Sequence, residues 1–262
     1  RPEWVEAAAH AADAVVALHV ERGSGGVRLR RASLGGRVSD AAASLEDYGG
    51  LAAGLVRLAL ATGDAGRAVL ARELVDACVE GDAVLAPGGG DPVLAARGIA
   101  VDADRTEGAT PSGAALLADA AARLAALTAA RDYRAVAERA LAPSLAPALE
   151  RPIAYGATLA VAARLAAPAA ELVVVRAAER VVVRADDDAA TEELLAEARA
   201  WARPTRTLAI VTEPQAAALA DAGFELFADR VARGGTAAYL CEGFTCRLPT
   251  SDAAALAAQL GR

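Results

Sequence analysis

Asp104 to Leu117 reads DRTEGATPSGAALL, a polar loop that turns directly into a run of Ala and Leu. Thr110 can serve as the N-cap, and Pro111 suits the first helical position, where a missing N–H costs nothing. Ser112, Gly113 and the Ala/Leu run carry the helix on. A loop held at a helix N-terminus brings Asp104, Glu107, Thr110, Ser112 and Gly113 to one mouth. The long Ala/Leu/Arg helices on either side read as scaffold for that mouth, which makes the fold class mainly α.

Composition supports that reading. Of the 262 residues, 55% are hydrophobic but only 3% are aromatic, so Ala, Leu and Val must build the core. Such a core suits closely packed helices. The chain has no Met and opens on RPEW, so the expectation is that the protein continues upstream. A net charge of −7, with no basic stripe, argues against nonspecific nucleic-acid binding. No apolar run is long enough for a membrane span and no signal peptide is visible. Three Cys do not make a disulfide framework, so a reducing, cytoplasmic location is the expectation. No motif calls for a cofactor. The GGGDP at 88–92 is not a phosphate loop, because no strand precedes it and no Lys-Ser/Thr follows.

Taken in order, Pro2 to Glu21 reads as a helix with a broad apolar face. His10 and His19 fall on roughly opposite sides of it, as ordinary helix residues. Gly23 to Arg37 is a Gly-rich hairpin or extended loop. Ser39 to Ala61 is the next helix; Ser44 and Asp47 have capping-box spacing, so the regular helix starts there. Gly63 ends it, and Ala65 to Val79 follows. After the long loop come helices at about Ser112–Ala129, Asp132–Ala142 and Ile153–Ala167, with ALAPSLAP as an interruption. Antiparallel hairpins with long loops on alternate sides build a layered α/α toroid. Beyond Pro168 the pattern changes. ELVVVR (171–176), RVVVR (180–184), TLAIVT (207–212) and AAYLC (237–241) read as strands alternating with helices at Asp186–Trp201, Gln215–Ala222 and Asp252–Leu260. That pattern predicts a small, mainly parallel sheet. The expected organisation is a partial α/α toroid over 1–168 and a small α/β lobe over 169–262.

Three segments, SLEDYGGLAAGLVRLALATGD (44–64), DRTEGATPSGAALL (104–117) and TAAYLCEGFTCRLPTSD (236–252), occur in this order in proteins of the YyaL-like, spermatogenesis-associated family. The chain resembles the C-terminal part of that family over essentially its whole length. The resemblance implies a six-hairpin α/α toroid like those of sugar epimerases and glycosidases. It also implies an upstream thioredoxin-like domain and further helical hairpins as partners within one protein. The sequence departs from the family pattern at Gly49 and Gly50, where Ala-Phe is usual, and at Ala114 and Gly243, where Asn is usual.

In a toroid, Asp47 and Glu107 at the starts of inner helices would line a central funnel. Paired carboxylates there can act as acid and base on a sugar ligand, with Tyr48 supplying a proton or hydrogen bond. The alternative is that both acids only stabilise helix dipoles. Asp104, Thr110, Ser112 and Gly113 would line the ligand site, or cap the helix. Cys241 and Cys246, spaced C-x4-C, are expected as reduced structural thiols. A redox or disulfide role is the alternative, and zinc would need two more ligands. The function classes left open are a sugar isomerase-like or glycosidase-like domain, a noncatalytic partner-binding scaffold, and a thiol-dependent activity.

Overall fold

The computed structural model describes residues 1–23, 25–87, 93, 96–97, 107–129, 132–177, 185–232 and 234–261. The chain is mainly helical and divides into two compact units. One comprises residues 1–58, 66–124 and 132–165. The other comprises 59–65, 125–131 and 166–262, so two helix-end turns belong with the C-terminal segment. The strand expected at Arg180–Arg184 and the GGGDP segment lie outside the described residues.

The first unit begins with α1 (Pro2–His19), which buries no residue and leaves Trp4 65% exposed. His19 fastens its C-terminal end: its ring nitrogens lie 2.9 Å from the Arg30 carbonyl and 3.1 Å from Ser33 Oγ. Two hairpins follow, β1 (Val20–Gly23) with β2 (Gly26–Leu29) and β3 (Ser33–Leu34) with β4 (Arg37–Val38). Next come α2 (Leu45–Thr62), α3 (Ala65–Ala77) and the short hairpin of β5 (Val79–Glu80) and β6 (Ala83–Val84). The helix α4 (Gly113–Ala125) is the most enclosed element of the unit, with ten of its thirteen residues buried. Small Ala side chains on most sides let neighbouring helices pack closely around it, and the Ala/Leu run after Pro111 supplies that property.

The helices α5 (Tyr133–Glu150) and α6 (Gly156–Ala166) complete the unit. ALAPSLAP does not interrupt α5, which runs through Pro143 and Pro147. Each Pro removes a backbone donor. Yet Ala137, Ala140, Leu141, Ser144 and Ala148 keep a helical buried stripe on one side, and Pro143 faces solvent. Packing of that stripe outweighs the local penalty.

The second unit is built on a four-stranded sheet in the order β10–β9–β7–β8. Its strands are β7 (Glu171–Arg176), β8 (Thr207–Thr212), β9 (Ala237–Glu242) and β10 (Thr245–Cys246). Only β7 and β8 pair parallel; β9 runs antiparallel to β7, and β10 to β9. Among the described residues the sheet is therefore mixed, not mainly parallel: β9 enters antiparallel to β7, and the tight hairpin after it adds β10 antiparallel to β9. Leu172, Val174, Ala238 and Leu240 form a core with Leu194, Leu195 and Trp201 of α7 (Ala185–Trp201) and Leu256 of α9 (Ala253–Gln259). The helix α8 (Glu213–Asp221) packs on β7 and β8. Its Gln215 accepts from Thr212 N and donates to the Thr62 carbonyl, which ties the 59–65 turn into this unit.

Candidate functional site

The starts of α2 and α4 meet in the first unit. The contact of α2 with α4 is a backbone-to-backbone approach. A Cβ added to Gly113 would lie 2.5 Å from Glu46 N, and one added to Gly49 would lie 2.5 Å from Leu117 N. Pairing 46 with 113 and 49 with 117 means that the two helices run parallel with their N-termini side by side. Glu107, ahead of α4, reaches the start of α6. Its carboxylate accepts from Ala157 N at 2.8 Å, Thr158 N at 2.9 Å and Thr158 Oγ1 at 2.7 Å. The N-termini of α2 and α4 thus lie side by side, and Glu107 ties the segment ahead of α4 to the start of α6.

Of the candidate groups, Asp47, Glu107, Tyr48 and Ser112 are engaged in holding the fold. Ser44 and Asp47 form the expected reciprocal cap: Asp47 accepts from Ser44 N at 2.7 Å and from Ser44 Oγ at 2.8 Å. Arg31 stands 3.8 Å from the same carboxylate. Glu107 satisfies donors that a helix start otherwise leaves unpaired. Tyr48 is buried, its phenol oxygen accepting from Leu29 N at 2.9 Å, and burial pushes its pKa up. It braces β2 against α2. Ser112, not Thr110, caps α4: its Oγ accepts from Ala115 N at 3.2 Å, whereas Thr110 is exposed. The helix consequently starts at Gly113, two residues after Pro111, because the Ser hydroxyl two steps later is better placed for the first free N–H. Gly113 is consumed by the contact with Glu46. Asp104 lies outside the described residues. A groove of about 400 Å³ lies elsewhere in this unit, lined by Arg22, Val27, Glu73 and Asp76 among others.

One cluster was not anticipated from the sequence. Asp119, buried in α4, accepts from Arg57 at 2.7 Å and from Arg123 at 3.1 Å. Arg164 of α6 lies in the field of all three, and burial together with Arg123 lowers it to about 10. The i,i+4 spacing of Asp119 and Arg123 was the available signal; the contributions of Arg57 and Arg164 come from other helices.

In the second unit, Cys241 and Cys246 are joined as a disulfide, their Cα atoms 3.9 Å apart. The expectation of reduced thiols is thereby corrected. The turn Gly243–Phe244 has positive φ at both residues, the geometry of a two-residue hairpin loop, so 241 and 246 become directly opposed. Spacing alone does not reveal such opposition. Gly is the residue that best tolerates this φ, which suits Gly243 to the turn. Arg230 lies 2.9 Å from Cys246 Sγ and 3.8 Å from Cys241 Sγ. Glu171 pairs with Cys241 from the other side of β9 and is held up at about 7 by burial.

No family model matches this chain, and no curated protein matches it. Among the described residues, no cluster of His, Cys, Asp and Glu could hold a metal ion, and no helix is long and apolar enough to cross a membrane.

Proposed function

We infer that the helical unit is a noncatalytic scaffold, the partner-binding alternative among the readings of a YyaL-like chain. The observation that carries this is the state of the two candidate acids. A general acid or base needs a carboxylate within reach of substrate. Glu107 instead spends both oxygens on Ala157 and Thr158, and Asp47 commits its Oδ2 to the N–H and hydroxyl of Ser44. The buried Tyr48 is spent on Leu29. Acids at helix starts that accept backbone donors stabilise the fold without chemistry. The parallel, side-by-side starts of α2 and α4 support reading them as inner helices of a partial α/α toroid. A partner such as a thioredoxin-like domain follows from the family resemblance alone.

The test is calorimetric titration and a turnover assay of the chain with a panel of mono- and disaccharides. It includes Asp47→Asn, which keeps the cap, and Glu107→Gln. The scaffold reading expects no saccharide-dependent heat or product in any of the three proteins. A sugar bound or converted by the parent but not by Asp47→Asn would overturn it and restore the carbohydrate reading.

A further inference from the structure

We propose that Cys241 and Cys246 form a reversible dithiol–disulfide site that exchanges electrons with thiol substrates, with Arg230 holding the Cys246 thiolate and Glu171 moving the proton at Cys241. The proposal is independent of the scaffold reading, since every residue in it belongs to the second unit.

Register places the row. Thr207, Glu171, Cys241 and Cys246 are successive direct partners across β8, β7, β9 and β10. Directly opposed residues share a face of the sheet, with Cβ atoms about 4.5–5.5 Å apart. The two sulfurs differ in access: Cys241 is fully buried, whereas Cys246 is partly open. An incoming thiolate therefore meets Cys246 first and expels Cys241. Arg230 is fixed where either sulfur would carry charge. Its Nε donates to the Leu226 carbonyl at 3.1 Å, and its guanidinium lies 5.1 Å from the centre of the Tyr239 ring. A neighbouring guanidinium stabilises a thiolate and lowers its pKa.

Glu171 is the second, independent observation. It is 4% exposed, and its Oε2 has no hydrogen-bond partner among the described residues. The Gly243 backbone engages this carboxyl from the hairpin turn, but leaving the buried Oε2 without a donor is costly. Burial raises this carboxyl to about 7, where it can both give and take a proton near neutrality. The charged and titratable groups around the bond are Arg230 and Asp229 beside it, Tyr239, Glu171, and the hairpin's own Glu242 and Arg247, which pair at 3.3 Å.

The step balances. A substrate thiolate attacks Cys246 Sγ, a new S–S bond forms and the Cys241–Cys246 bond breaks. The electron pair leaves on Cys241, which takes the proton of neutral Glu171. A second substrate thiolate attacks the substrate sulfur of the mixed disulfide and releases Cys246 as a thiolate beside Arg230. Two substrate thiols become one disulfide, and two electrons pass to the chain. The reverse sequence reoxidises the pair with a disulfide substrate.

The experiment uses the whole chain, equilibrated in mixtures of reduced and oxidised dithiothreitol, acid-trapped, alkylated and read by mass spectrometry. The expected result is reversible, two-electron interconversion of Cys241 and Cys246 with helical circular dichroism unchanged. Cys241→Ser should form a mixed disulfide at Cys246 with oxidised glutathione. In that background Arg230→Gln should slow its formation about tenfold near neutrality, through loss of thiolate, and Arg230→Lys should restore it. Glu171→Gln should slow reduction of the intact pair by about tenfold or more. A bond that reduces only when the chain unfolds overturns the proposal, as do rates unchanged in both Arg230→Gln and Glu171→Gln. Should either variant lose its helical signal, the parent decides: a reduction rate without an inflection near pH 7, beyond that of the dithiothreitol thiol itself, also overturns it.

Discussion

Three glycines of α2 make an internally controlled test of the parallel helix contact. A Cβ at Gly49 would sit 2.5 Å from Leu117 N and 3.0 Å from the Gly113 carbonyl oxygen, about 0.9 Å short of ordinary contact at 3.4 Å. The obstructing atoms are backbone, so no rotamer change relieves them and the two helices must part. Overpacking of this kind costs about 1–3 kcal/mol, and the lack of an escape puts Gly49→Ala near the top of that range. Replacing a helical Gly by Ala returns about 1 kcal/mol. The net expectation is a loss of about 2 kcal/mol, a fall in Tm of roughly 4–8 °C for a chain of this size. Gly54→Ala meets nothing within 4 Å, and Gly50→Ala meets only Leu116 Cδ1 at 3.7 Å. Both should gain up to about 1 kcal/mol. The assay is urea denaturation followed by helical circular dichroism, with midpoints compared only where the slope is unchanged. If Gly49→Ala is as stable as Gly54→Ala, α2 and α4 do not touch backbone to backbone and the side-by-side placing of their starts is wrong.

Glu107→Gln should destabilise the helical unit by about 1–3 kcal/mol, because it weakens charge-assisted bonds to the α6 N-terminus; a melt no different from the parent would show that those bonds do not form in solution. Glu171 should make stability depend on pH in the direction opposite to most carboxylates. Its folded pKa of about 7 lies above the ordinary 4.5, so the stability it contributes is full below about 4.5 and is lost as pH rises through 7. Glu171→Gln should remove that loss, on the order of 3 kcal/mol at pH 8, and denaturation midpoints across pH 4–8 would record it. Pro143→Ala should raise stability by about 1–3 kcal/mol, since it restores a donor inside an exposed stretch of α5; a lower midpoint would mean that the ring is packed. Cys78, buried and pushed up to about 12, should resist alkylation until the chain unfolds, which mass spectrometry under native and denaturing conditions can check.

Local chemistry was legible in the sequence wherever a signal and its partner lie within one element. The β-branched runs 171–176 and 207–212 are the observed strands to the residue, because a buried strand needs nothing beyond a continuous apolar run. The Ser44–Asp47 cap was legible because its partners are three residues apart. The 104–117 stretch pointed to the most enclosed helix of the helical unit because a run this rich in Ala and Leu has few groups to offer water. What tertiary structure decided has partners far apart in the chain. Glu107 looked as suited to chemistry as to capping until the donors of α6, 50 residues on, took its oxygens. Prolines 143 and 147 looked like a break until a buried stripe held α5 together through them. The cysteines looked like ordinary thiols until a left-handed turn at Gly243–Phe244 set them face to face, with Arg230 on one side and Glu171 across the strand. Propensity and spacing act over a few residues. Hydrogen-bond partners, strand direction and burial of charge are settled only by which distant segment packs against them.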